Sequence, residues 1–502
     1  MIEEVDVVVI GGGATGAGTL WDLALRGIDA VLIEQHEPGY GTSGRNHGCL
    51  HSGGRYLVKD PELALECYRE NQILRQVAGA AIEDTGGLFA HIKSDEQDYV
   101  RRWVDNAHRI GLPVEEVSAT EARNMEPILS SEVDRVFTVP DAAVDPFDLI
   151  YMNLQGAVQK GARFMTETRV KELLIRDGRV QGVLAEDIRT KEVHEFRCRA
   201  VINAAGPWVG IIASLAGISL ELTYGKGSLL VHATRLAQRQ INRLRSPSDG
   251  DVLMPGKTVC LFGTTDIHID NPDDTVTWAD EVKSLIEMER PIFPDLPEMR
   301  VLRTVTGVRP LYTPGAAGTA ERDANRGHAV INHGARDGVG GFFTIMGGKL
   351  TTYRLMAEQV VDEVARELGV TVACKTAETP LAGLSIGNAR NFLETKAICE
   401  CEQVTEDDLL TAAIFLDKVR SGGIRRMTRL GLGPCQGTLC IWRGALYLYR
   451  KGLLTDQECL TFIEESLDER WKGNRGVLWG DQIRQAELER GIYRGIYGSE
   501  GD

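Results

Sequence analysis

Val5-Asp-Val-Val-Val-Ile-Gly-Gly-Gly-Ala-Thr-Gly16 begins as a β-branched apolar run and ends in a glycine turn. Such a run is typical of a strand buried on both faces of a parallel sheet. An amphipathic segment then reaches Arg26, Gly27 ends it, and Ala30 to Ile33 forms a second strand closing on Glu34. Strand, glycine turn, helix, strand and acid make a dinucleotide-binding βαβ unit. Gly11 permits the tight turn, Gly13 lets backbone N–H groups approach a pyrophosphate, and Gly16 lets helix and strand pack closely. Ala14 and Thr15 start the helix, whose N-terminus favours phosphate charge. Glu34 lies eighteen residues past Gly16, where a carboxylate can accept hydrogen bonds from ribose hydroxyls.

The fingerprint alone serves FAD and NAD equally. Three later segments favour FAD. Gly41-Thr-Ser-Gly-Arg-Asn-His-Gly-Cys-Leu-His-Ser-Gly-Gly-Arg-Tyr56 is rich in small residues, so backbone can lie against a flat ring. Val201-Ile-Asn-Ala-Ala-Gly-Pro-Trp208 is a short apolar strand breaking into small residues, and Met346-Gly-Gly-Lys-Leu-Thr-Thr-Tyr-Arg354 is a second glycine turn opening a helix.

Together with Gly263-Thr-Thr-Asp266, Gly225-Lys-Gly-Ser228 and Gly307-Val-Arg-Pro310, these segments resemble the glycerol-3-phosphate dehydrogenase branch of the D-amino-acid-oxidase-like flavoproteins. The resemblance spans nearly the whole chain. It implies an α/β, Rossmann-type FAD-binding fold with a substrate cap. The FAD contacts it implies come from Gly11, Gly13, Ala14, Thr15, Gly16 and Glu34 in the first unit, and from Thr42, Ser43, Asn46 and His47 in the loop after it. Val170, Ala205, Gly206 and Trp208 follow, then Gly347, Gly348, Lys349, Leu350 and Thr351. One departure matters: Leu229 stands where the aerobic members carry a histidine, which favours the anaerobic branch.

Ten cysteines are present, and four of them are paired. Cys399 and Cys401 form C-x-C; thirty-three residues later Gly431-Leu-Gly-Pro-Cys-Gln-Gly-Thr-Leu-Cys440 supplies Cys435 and Cys440 as C-x4-C. Four thiolates on glycine-bearing turns suit an iron–sulfur cluster or zinc. The spacing resembles the bacterioferritin-associated-ferredoxin-like [2Fe–2S] module, a small helical domain. Its helices are expected from about Thr405 to Val419 and from Ile424 to Leu430.

A flavin takes two electrons as a hydride, whereas an iron–sulfur centre carries one at a time. The pair suits delivery of electrons to a quinone or to a redox partner. A phosphorylated substrate calls for cations, and Arg55, Arg309, Arg326 and Lys349 fall at or near the flavin-framing segments. In the family that this chain resembles, Gly54-Arg55-Tyr56, Gly307-Val308-Arg309-Pro310 and Gly348-Lys349-Leu350 match substrate-contacting motifs. His51, four residues before Arg55, is the favoured base, with His47 second. Arg309 stays protonated and is suited to stabilising a forming alkoxide.

The expected reaction is oxidation of sn-glycerol 3-phosphate to dihydroxyacetone phosphate. The alternatives are a dehydrogenase of another small 2-hydroxy acid or an amino acid, and a non-catalytic electron-transfer or redox-sensing protein. The resemblance implies a second flavoprotein subunit plus a membrane-anchored iron–sulfur subunit, with electrons reaching quinone indirectly. A net charge of −16 argues against a nucleic-acid partner. Arg425, Arg426 and Arg429 are explained by helical spacing on a solvated face. No eighteen-residue apolar run and no secretory signal is read, so a cytoplasmic chain docked on the membrane through partners is expected.

The expected organisation is a flavin domain over 1–370, with FAD-binding parts at about 1–60, 145–215 and 300–370 and a cap at about 220–300. A linker over 371–395, the cysteine domain over 396–451 and a helical tail over 452–502 complete it. The tail's tryptophans, Trp471 and Trp479, are expected to pack against the cysteine domain.

Overall fold

The computed structural model describes residues 2–312, 327–384, 386 and 396–497. At its centre a six-stranded sheet runs in the order Arg163–Met165, Ala30–Ile33, Val7–Ile10, Ala200–Asn203, Phe342–Gly347 and His328–Asn332. The first five strands are parallel and the last is antiparallel. Val7, Val8 and Val9 are wholly buried, as the uninterrupted β-branched run requires. The helix Ala14–Leu25 crosses from Val7–Ile10 to Ala30–Ile33 and packs against the helices Pro146–Gln159 and Tyr353–Leu368. Gly27, at φ +72°, turns the chain out of the first helix.

A smaller sheet orders Ile2–Glu4, Val193–Arg197, Arg179–Asp187 and Thr168–Arg176. The cap is a larger, nine-stranded sheet. Its longest ladder joins Leu222–His232 to Val301–Tyr312, and this ladder sets Gly227 opposite Gly307 and Gly225 opposite Arg309. The cap extends beyond the 220–300 expected for it. Gly87–Ile92, Glu115–Val117 and Val133–Val139 join the same sheet, with Gly87–Ile92 parallel to Gln240–Arg243. Gly87–Ile92 is buried on both faces, so it lacks the alternation that marks a half-buried strand.

After Cys399 and Cys401 come the helices Glu406–Phe415, Ser421–Thr428, Cys440–Arg450, Asp456–Asn474 and Asp481–Tyr497. Thr405 caps the first of them, accepting from the Asp408 N–H while the Asp408 carboxylate accepts from the Thr405 N–H. The first four of these helices share one continuous apolar core with the central sheet: Leu409, Ile424, Ile441, Leu448 and Phe462 belong with Val9, Leu20 and Tyr151. Phe415 packs on both Tyr151 and Phe164. At about 1.5–3 kcal/mol for each fully buried large apolar side chain, this seam is a substantial part of the fold. Trp471 and Trp479 depart from expectation, being 51% and 37% exposed. No described helix is long and apolar enough to cross a membrane.

Candidate active site and cysteine centre

A cleft of about 410 Å³ runs from the first glycine turn to the cap ladder. It is lined by Gly11, Gly13, Ala14, Thr15, Glu34, Thr42, Ser43, Asn46, His47, Val170, Ala205, Gly206 and Trp208. Gly347, Gly348, Lys349 and Leu350 line it as well, with His51, Arg55, Tyr56 and Arg309. Gly16 and Thr351 stand behind this lining. A Cβ at Gly16 would drive into the Gly11 carbonyl, so Gly16 sets how closely the helix approaches the strand end. Thr351 is fully buried and its hydroxyl accepts the His51 N–H at 3.0 Å. Arg326 lies outside the described residues.

The nucleotide end fits a dinucleotide. The helix Ala14–Leu25 has no side-chain cap at Gly13, so its first turn offers N–H groups to an anion. The Ala14 N–H donates to Ser43 Oγ at 3.0 Å, tying the following loop to that turn. The Glu34 carboxylate accepts from the Gly12 N–H at 2.5 Å and the His36 N–H at 2.7 Å, which fixes it at the wall of the cleft beside the glycine turn. Burial pushes its carboxyl upward against those two donors. At the other end Gly347 and Gly348 sit at φ +77° and +70°, and the turn they make swings Lys349 into the cleft.

At the reacting end the cations converge. The Arg309 guanidinium donates to Asp266 Oδ1 at 2.9 Å, Thr264 Oγ1 at 2.5 Å and the Thr265 carbonyl at 3.2 Å. Lys349 Nζ lies 4.5 Å from the centre of the Tyr56 ring, and Arg55 pairs with Asp251 at 3.1 Å. Burial keeps His51 well below the ordinary imidazole range, reinforced by the charges of His47, Arg55 and Lys349. Burial and the charges of Arg55 and Arg309 take His47 down to about 3. Both rings are therefore neutral at pH 7.

The residues behind His51 fix its tautomer. Gln240 Nε2 donates to Asp141 Oδ2 at 3.1 Å, so its Oε1 faces Cys49 and accepts the S–H at 2.7 Å. The Cys49 sulfur, 3.2 Å from His51 Nδ1, is then left to accept Nδ1–H. The proton sits on Nδ1, and Nε2 carries the free lone pair. Sequence reading gave Cys49, Gln240 and Asp141 no role. They are far apart in the chain, and only the fold, which pairs Cys49–Leu50 with Ala142–Val144 and sets Gln240 between the Cys49 thiol and the Asp141 carboxylate, brings them together.

In the C-terminal region Cys435 Sγ is 3.7 Å from both Cys399 Sγ and Cys440 Sγ, and the three thiols form one tight group. The two neighbouring thiols, together with the Glu402 and Gly431 N–H groups that point at Cys399 Sγ, hold it well down toward thiolate. Gly431 and Gly437, at φ +74° and +83°, let the loop wrap the group. Cys401 lies beside this loop, its Cβ close to Gly433, and its sulfur is not part of the three-thiol group. Closely set sulfurs ringed by backbone donors fit a thiolate-held metal centre.

The family described as FAD dependent oxidoreductase matches residues 6–354. The chain belongs to the FAD-dependent oxidoreductase family. Within it, the chain is 38% identical over 530 residues to a subunit of the anaerobic glycerol-3-phosphate dehydrogenase of Escherichia coli K12, covering 99% of this chain and 98% of that one. It is 37% identical over 525 residues to the like-named protein of Haemophilus influenzae, covering 98% and 93%. Among solved structures, the glycerol-3-phosphate dehydrogenase of Bacillus halodurans complexed with FAD superposes with a TM-score of 0.66 at 21% identity, covering 95% of this chain and 96% of that one. Family membership and the glycine-lined cleft of this FAD-dependent oxidoreductase agree on FAD as its cofactor.

Proposed function

We propose that this flavoenzyme oxidises sn-glycerol 3-phosphate to dihydroxyacetone phosphate, and that the electrons leave through partner subunits toward a membrane quinone. The carrying observation is convergence: His51, Arg55, Lys349 and Arg309 meet in the cleft that the dinucleotide turn opens into. The anaerobic dehydrogenases that resemble this chain over nearly its full length support the substrate, and the naming of those relatives as subunits supports a multi-subunit assembly.

FAD, when bound, accepts the substrate hydride. The protein's own groups do the rest. Lys349 and Arg55 supply positive charge for a phosphate, Lys as a point charge and Arg as a planar fork. His51 Nε2 takes the hydroxyl proton as the C–H bond breaks. Arg309, oriented by Asp266 and Thr264, stabilises negative charge developing on the oxygen. Cys399, Cys435 and Cys440, joined by Cys401 from the adjoining turn once its side chain swings in, would hold an iron–sulfur centre, which supplies one-electron transfer out of the chain.

Anaerobic titration of the purified holoprotein tests this. Glycerol 3-phosphate is expected to bleach the flavin, and iron with inorganic sulfide is expected at two atoms of iron per chain. Bleaching by lactate, 2-hydroxyglutarate or amino acids but not by glycerol 3-phosphate would overturn the substrate. Stoichiometric zinc with no iron would overturn the electron carrier.

A further inference from the structure

A second and larger cavity, of about 610 Å³, lies where the cap, the flavin domain and the C-terminal helices meet. Its lining carries seven Lys and Arg against five Asp and Glu, a positive balance in a chain of net charge −16. Arg45, Arg303, Arg425, Arg426 and Lys472 are among its cations. Arg426 pairs with Glu37 at 3.2 Å and Lys472 with Glu469 at 2.6 Å. Arg45, Arg303 and Arg425 have no carboxylate in salt-bridge contact among the described residues. Arg45 only stacks on the Tyr40 ring, at 4.6 Å. The Nε atoms of Arg303 and Arg425 are buried and have no hydrogen-bond partner among the described residues. Arg425 is 7% exposed, and the Arg426 and Arg429 side chains are only 12% and 14% exposed, so the solvated face expected for these arginines does not hold.

Leaving a buried charge unpaired is costly, and two guanidinium groups that repel each other cost more. Burial takes Arg303 down to about 10, with Arg425 adding to the effect, and burial lowers Arg425 as well. Glu469, the nearest acid, is committed to Lys472 and offsets only part of this. A protein tolerates such an arrangement where a ligand supplies the missing negative charge. Three guanidinium groups without their own carboxylates call for a multiply charged anion, and their forked donors suit phosphate oxygens. A cavity of about 610 Å³ is far larger than a bare phosphate needs, and its remaining wall includes Tyr40, Phe147, Trp208 and Val305.

We propose that this cavity, which meets the substrate cleft at Tyr40 and Trp208, is a second anion site that holds the phosphate of an organic phosphate monoester between Arg45, Arg303 and Arg425, with the organic part against Phe147 and Val305.

Equilibrium dialysis of radiolabelled inorganic phosphate against the FAD-loaded, metal-loaded holoprotein tests it. Lys349→Gln, which removes a phosphate-binding cation from the substrate cleft, should leave one saturable phosphate site. Lys349→Gln combined with Arg425→Gln should weaken that site at least about 10-fold, the scale of one lost charge-assisted contact. Arg303→Gln and Arg45→Gln carry the same test if the Arg425 variant does not fold. In phosphate-free buffer the single Arg303→Gln and Arg425→Gln variants should melt no lower than the parent, because each removes an uncompensated charge. Phosphate binding that vanishes with Lys349→Gln alone overturns the second site. Binding that survives in all three cavity variants overturns it too, as does a fall in melting temperature on removal of either buried arginine.

Discussion

Gln240 sits two hydrogen bonds from His51, yet it determines which nitrogen of that ring carries the proton, because its amide is oriented by Asp141 and in turn orients the Cys49 thiol. Replacing His51 with Asn should lower kcat by about 10²–10⁴ while FAD content is retained, as expected for loss of a general base. Cys49→Ala keeps the base but removes the acceptor for Nδ1–H; stopped-flow flavin reduction should slow about 10-fold, equivalent to one modest hydrogen bond. Equal rates in Cys49→Ala and parent would separate the base from this relay. His232 makes a pH-dependent case of its own. It is fully buried on Leu222–His232, neither ring nitrogen has a partner among the described residues, and burial takes it down to about 4. The unfolded chain protonates it near pH 6.5, the folded chain only near 4, so stability is full above about 6.5 and is lost as pH falls through that window. The loss amounts to about 3 kcal/mol, and His232→Leu should abolish it without harm at pH 7.5, as read from urea midpoints at both ends of the window.

The first βαβ unit was legible because each of its residues answers a local demand. Val7, Val8 and Val9 fill a two-sided core, Ala30–Ile33 repeats the pattern, and Gly16 is the position where a side chain cannot fit. Gly16→Ala should therefore push the helix Ala14–Leu25 away from the Gly11 carbonyl and misplace the pyrophosphate donors. The purified variant should show a flavin-to-protein absorbance ratio well below that of the parent and bind added FAD at least about 10-fold more weakly. The cap strands were not legible to the same degree. Gly87–Ile92 is short and buried on both faces, and periodicity cannot separate such a run from a helix segment. Arg425 was misread for a related reason: on Ser421–Thr428 its neighbours Arg426 and Arg429 suggest solvent, whereas the helix is wedged between the flavin domain and Asp456–Asn474. Spacing reports which face a residue takes, and only the assembled fold reports what covers that face.

Across the whole molecule, the C-terminal helices do more than carry cysteines, because they complete the core of the flavin domain. Arg429 is the polar counterpart of that apolar seam. Its guanidinium bonds at 2.6 Å to Asp145, which caps the helix Pro146–Gln159, and at 2.6 Å to Glu402, the neighbour of Cys401. Burial pushes the Asp145 carboxyl up, but Arg429 and Lys257 outweigh it and hold the group ionised. Arg429→Met preserves much of the side-chain volume and removes the charge, leaving two buried carboxylates facing each other across the seam. Lys257 still reaches Asp145 at 3.4 Å, so the cost should fall at the lower end of the 3–5 kcal/mol expected for breaking a buried pair, about 3 kcal/mol. Because Glu402 adjoins the metal-binding loop, the same change should speed removal of the bound metal by a chelator while the flavin stays bound. Adding Glu402→Gln should restore part of the stability, since one of the stranded charges is then gone. A variant that melts like the parent and resists the chelator equally would mean that the apolar contacts and the other ion pairs of the seam, Lys418 with Asp187 and Arg420 with Glu167, join the cysteine region to the flavin domain without help from Arg429.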